Sequence, residues 1–109
     1  MDKKIRDVIV SDGVNNCKHI LSDKEEFSML NDGKLFFKGC IEGFELSKQL
    51  ICLEQFEQFI ISCMNKETYL RTTSDKHDDY IITLGKRCAL EFIYNNLQNI
   101  PPEPLISDF

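Results

Sequence analysis

Apolar side chains recur along this chain at three- and four-residue intervals, the spacing that lines up one face of an α-helix. The clearest run predicts a helix from about Ser47 to Asn65, where Cys52, Phe56, Phe59 and Cys63 stack on one face and Leu53, Ile60 and Met64 widen it. Glu54, Gln55, Gln58 and Ser62 occupy the other side. So broad an apolar arc belongs to a helix packed centrally against more than one neighbour. A second helix is predicted over about 86–97, with Cys88, Ala89, Phe92, Ile93 and Leu97 on one side and Glu91, Tyr94, Asn95 and Gln98 towards the other. Residues 80–84 ahead of it are β-branched enough for a short strand stopped by Gly85. Ile81, Leu84, Cys88 and Phe92 nevertheless continue the helical period, and one long helix is the preferred reading. Ser74-Asp75 offers it an N-cap, and Asp78 and Asp79 complement the positive end of its dipole.

Upstream, Ser22-Asp23-Lys24-Glu25 matches a capping box, opening a short helix that carries Phe27, Met29 and Leu30 and closes at Asn31-Asp32-Gly33. Between 34 and 46, Phe37, Cys40, Ile41 and Phe44 hold helical spacing better than alternation, but Gly39 and Gly43 weaken the pattern. Glycines four apart either admit a second helix at close range or mark an irregular turn. The N-terminal stretch carries Ile5, Val8 and Ile9 and breaks around Asp12-Gly13 and Asn15-Asn16, which leaves a short helix and an edge strand both open. Pro101, Pro102 and Pro104 exclude a helix after Asn99 and predict an extended strap over 100–109. The expected fold is mainly α: one bundle of about four helices over 1–99, with room for a short β-strand or hairpin at 34–41 or 80–84, then the Pro-rich tail.

Composition narrows the function classes. At 109 residues, 42 % hydrophobic and 28 % charged, the chain fits one domain with one core. Its formal charge is −5, and Arg6, Arg71 and Arg87 are dispersed, so no basic stripe with arginine forks is present to hold a phosphate backbone. Direct nucleic-acid binding is not expected, and a basic protein partner is. Cys17, Cys40, Cys52, Cys63 and Cys88 are odd in number and each lies in or beside an apolar stretch. With only Val8 to Val10 as an apolar run behind a charged N-terminus, and nothing of membrane-spanning length, the expected setting is the reducing cytosol, away from membranes.

No cofactor loop or catalytic signature is legible. The cysteines form no C-x-x-C pair, and eleven residues of helix would hold Cys52 and Cys63 roughly 16 Å apart, too far for one ion. His77-Asp78 resembles the histidine-aspartate dipeptide of the HD-type metal phosphohydrolases; that resemblance covers two residues and implies a metal-dependent phosphohydrolase as the enzyme-class alternative. A solvated helix start explains the same residues more simply. No metal or other cofactor is expected. The remaining class is a non-enzymatic protein that works by binding another. In size and charge the chain is similar to the bacterial immunity proteins that neutralise nuclease toxins, which implies carboxylates set around an aromatic anchor over a basic cleft. The candidate partner-binding residues are Glu42, Glu45, Glu54, Glu57, Asp75, Asp78 and Asp79, with Tyr69 or Tyr80 as anchor. The alternative within the binding class is a small adaptor or regulatory subunit acting as a helical homodimer; monomer and dimer are both open.

Overall fold

A computed structural model describes residues 1–22, 31–73 and 75–98. Among them are four α-helices: α1 (Lys3–Ser22), α2 (Asn31–Ser47), α3 (Leu53–Arg71) and α4 (His77–Gln98). No described residue is in a strand, so both the 34–41 and the 80–84 segments are helical and the hairpin option falls away. The mainly α expectation holds. The proline-rich tail, Ser74 of the expected N-cap, and Phe27, Met29 and Leu30 lie outside the described residues.

The helices stand in the spatial order α1, α2, α4, α3, with α1 touching α4 only lightly. At the centre, α2 and α4 run parallel: Asp32 meets His77, Gly39 meets Ile82, and Gly43 meets Lys86 and Ala89. The small residues make this contact possible. A Cβ on Gly39 would stand 2.0 Å from the Ile82 carbonyl oxygen, and one on Gly85 would stand 2.0 Å from that of Phe36. Gly39 and Gly43 on α2, and Gly85 and Ala89 on α4, are each four residues apart, so two small-residue ridges interlock and let backbone approach backbone. The glycine pair that weakened the pattern in the sequence is therefore the close-approach device, and not a turn.

Three boundaries differ from the pattern-based expectation. α1 is one twenty-residue helix. The Asp2 carboxylate opens it by accepting from the Lys4 and Ile5 amides at 2.9 and 3.1 Å. Gly13 does not break it, because the Phe44 ring lies against that glycine, where a Cβ would come within 2.5 Å of Cζ. Ser22 ends α1, and Asn31-Asp32-Gly33 opens α2 where a helix stop was expected; Asp32 falls in the first turn, where a carboxylate favours a helix start. The third concerns α3, which begins at Leu53 and not Ser47. Ser47 belongs to α2, its hydroxyl donating to the Gly43 carbonyl at 2.8 Å, and the chain then turns through Lys48 to Cys52. Cys52 sits at the N-cap in extended backbone, and the Ile51 amide donates to Gln55 Oε1 at 2.7 Å. At its other end α3 continues to Arg71, because Glu67 and Leu70 prolong the face buried by Phe56, Ile60 and Cys63. Phe59 and Met64 fall off that face, 38 % and 49 % exposed.

The core gathers from every helix: Val10 and Val14 of α1, Cys40 and Phe44 of α2, Phe56 and Ile60 of α3, and Ala89, Leu90 and Ile93 of α4. Arg6, itself buried, donates to the Leu50 carbonyl and so ties the start of α1 to the turn after α2. No described helix is long and apolar enough to cross a membrane.

Helix propensity alone makes Gly85→Ala stabilising by about 1 kcal/mol. The α2–α4 contact reverses the sign: chemical denaturation of Gly85→Ala should show a loss of about 3 kcal/mol, at the upper end of overpacking costs. A stabilised Gly85→Ala protein would mean that the two backbones do not touch there.

Candidate functional site

The carboxylates and tyrosines expected at a partner surface fall in three places. Glu42 and Glu45 lie on the outer side of α2 and are exposed. Helical spacing puts Lys34 and Lys38 on the same side, and Glu45 pairs with Lys48 at 3.2 Å, so the charge there is mixed. Glu54 and Glu57 occupy the start of α3; Glu57 accepts the hydrogen bond of the Tyr94 hydroxyl, which raises the Tyr94 pKa above its ordinary value. The other candidates meet where α3 ends and α4 begins. Tyr69 is 68 % exposed there, and Asp75, Asp78 and Asp79 are exposed beside it in the chain's turn and the first turn of α4. Tyr80 is half-buried, with the Arg71 guanidinium 5.8 Å from its ring centroid and an Arg71 nitrogen 3.5 Å from its hydroxyl.

These places do not merge. Fifteen residues of α3, roughly 22 Å, separate Glu54 from Tyr69. The structure thus brings Tyr69, Asp75, Asp78, Asp79 and Tyr80 together at one end of the molecule and leaves Glu54 and Glu57 towards the other. The α4 start is also joined to α2, since His77 Nε2 and Asp32 Oδ2 are 3.0 Å apart with both side chains more than half exposed. Among the described residues no three His, Cys, Asp or Glu side chains are grouped so as to hold a metal ion.

Two features escaped the sequence reading. One is a charged cluster between α3 and α4: Arg87 Nε lies 2.6 Å from Glu67 Oε2 and its Nη1 lies 3.0 Å from Glu91 Oε1. The Glu67 side chain is only 5 % exposed, so Arg87 compensates a carboxylate withdrawn from water; the two carboxylates in turn make Arg87 harder still to deprotonate. The only hint in the sequence was the position of Glu67, four residues beyond Cys63 on the apolar face.

The other is an apolar cleft of about 380 Å³ where α1 diverges from α4 over the face of α2. Phe36, Phe37, Phe44 and Phe92 contribute its rings, set edge-to-face in two pairs with centroids 5.4 Å (Phe36–Phe37) and 6.4 Å (Phe44–Phe92) apart. Cys17, Cys40 and Cys88 bring one thiol from each of the three helices. Burial, reinforced by the neighbouring Cys17 and Cys88 thiols, pushes Cys40 up to about 12 from 9.0. Burial likewise raises Cys17 and Cys88, so at neutral pH all three are protonated, apolar lining and not thiolate nucleophiles.

Comparison of the chain with protein-family models, with curated proteins and with solved structures finds no match in any of the three.

The raised Cys40 pKa fixes a pH dependence. Its folded-state value lies above the unfolded one, so its contribution is complete below pH 9.0 and is lost as pH rises towards about 12. Across that window the stability difference between the parent protein and Cys40→Ala should narrow by about 1.4 kcal/mol per pH unit, the slope for one proton, in parallel denaturant titrations. A difference that stays constant with pH would show that Cys40 is not held in its neutral form.

Proposed function

We propose that the protein is a non-enzymatic binding protein, an inhibitor of the immunity type that neutralises a basic toxin by covering its active cleft with carboxylates set around an aromatic anchor. The observation that carries this reading is the end of the molecule where α3 meets α4. Tyr69 is more than two-thirds exposed there, and Asp75, Asp78 and Asp79 surround the same turn. A large, stiff, amphipathic side chain near three exposed carboxylates, with the exposed Arg71 and Lys76 in the same stretch and Arg71 set against Tyr80, has the makings of an interface hot spot: the ring buries area with little loss of side-chain entropy, while the carboxylates speed and select the encounter. The net charge of −5 adds long-range attraction for a basic partner. Asp78 and Asp79 also stabilise α4 through its dipole, a role compatible with contact to a partner.

The binding surface is accordingly narrower than the full set of sequence candidates. Tyr69, Asp75, Asp78, Asp79 and Tyr80 form it, and Glu42, Glu45, Glu54 and Glu57 contribute through long-range charge only. A second reading, self-association as a helical homodimer, is favoured by Ile61 and Met64, three residues apart on α3 and 57 % and 49 % exposed. Under that reading the isolated protein migrates at twice 12.7 kDa.

The test is affinity capture from the source cells followed by binding measurements on the recovered partner. A basic toxin domain in stoichiometric amount is the expected catch. Tyr69→Ala should then weaken the complex about thirtyfold, as an anchor truncation does. Asp78→Lys with Asp79→Lys should slow association and flatten its salt dependence. Unchanged affinity in both variants, with the fold intact by circular dichroism, would remove this surface from consideration. Recovery of the protein alone, as a dimer, would transfer the assignment to the homodimer.

A further inference from the structure

The cleft between α1, α2 and α4 has no part in the surface proposed above, and its form depends on particular side chains. Gly13 and Ala89 keep two of its walls low, while Phe44 fills the space over Gly13 and turns its edge to Phe92. The Phe92 ring stands at the mouth, 53 % exposed. That is a large aromatic surface left in contact with water, and a bound molecule would cover it. The cleft volume of about 380 Å³ is more than twice the roughly 150 Å³ that accommodates benzene in an engineered apolar cavity. It therefore suits a body of two fused rings.

The lining sets the chemistry. Its rings and thiol sulfurs are polarizable groups that favour an aromatic guest over an aliphatic one, through edge-to-face and sulfur–ring contacts. Its polar members are Asp12 and Asn16, one turn apart on α1 and exposed at the rim. Asp12 accepts hydrogen bonds and carries negative charge, so the complementary ligand has a donor or cation at one end. We propose that this cleft is a binding site for a small, flat aromatic amine, its rings between Phe44, Phe92 and the thiols of Cys17, Cys40 and Cys88 and its amine at Asp12. The site is independent of the protein-binding reading, and neither stands or falls with the other.

The probe is 1-naphthylmethylamine, titrated into the full chain and followed by heteronuclear NMR. Saturable shifts confined to residues around the cleft, with a dissociation constant below about 1 mM, are the expected result. Cys88→Trp, which fills the cleft from its half-buried wall, should weaken binding more than tenfold. Asp12→Asn should weaken the amine about threefold, the scale of an exposed charge pair, and leave neutral 1-naphthylmethanol unaffected. Hexylamine should bind more weakly than the naphthyl amine. The probe should also slow alkylation of Cys88 in the parent protein, a readout that needs no variant. Absence of saturation, shifts spread over all four helices, or an unaltered Cys88 alkylation rate would overturn the proposal.

Discussion

Everything in this fold depends on two helix backbones being allowed to touch. α2 and α4 lie against one another at Gly39, Gly43 and Gly85, where no side chain separates them and where a single added methyl would meet a carbonyl oxygen. In ordinary helix packing, side chains hold the axes about 8–10 Å apart. Interlocked small residues remove that spacer, which increases dispersion contact and brings Cα–H groups towards carbonyl oxygens. The cost is the lower helix propensity of glycine at each position, on the order of 1 kcal/mol, and the long apolar faces of both helices offset it. The central pair is then thin, and bulky residues such as Phe36, Phe44 and Ile93 are displaced to its sides.

Those displaced residues give the two flanks their different characters. On one flank α3 closes antiparallel against α4 with Phe56 and Leu90 fully buried, and Arg87 satisfies the Glu67 carboxylate within the same contact. On the other, α1 packs on α2 through Val10, Val14 and Gly13 and diverges from α4, leaving the aromatic and thiol-lined cleft. Tyr69 and the turn bearing Asp75 lie where α3 meets α4, at the end where Asp32 and His77 link the start of α2 to the start of α4. The proposed partner surface and the proposed ligand cleft thus occupy separate parts of one scaffold.

Much of this was legible in the sequence, and the omissions have physical reasons. The three-four spacing of Cys88, Phe92 and their neighbours was enough to find α4, since a long amphipathic period is hard to imitate. The mainly α class was legible for the same reason, although α1 was left open between a short helix and an edge strand. Gly13, Gly39 and Gly43 misled because glycine is read locally as a helix breaker, while here its lack of a Cβ serves partners that are distant in sequence: Phe44, Ile82 and Lys86. Asn31-Asp32-Gly33 misled in the same way, since Asn and Gly suit a helix end and Asp suits a helix start. The acidic candidates were recognisable as charges, but not as a surface. Only the antiparallel run of α3 against α4 shows that Tyr69 and Asp79 share an end of the molecule while Glu54 lies roughly 22 Å away. The cleft left no local signal, because its walls come from three helices.

Native-state hydrogen exchange is the most direct test of the α2–α4 contact as the element on which the others rest. The account predicts that amides from about residue 36 to 44 and from 82 to 93 exchange only through global unfolding, at one common free energy, while α1 and the ends of α3 open earlier. If amides in the middle of α1 or α3 outlast those beside Gly39 and Gly85, the glycine contact is not the keystone of the structure.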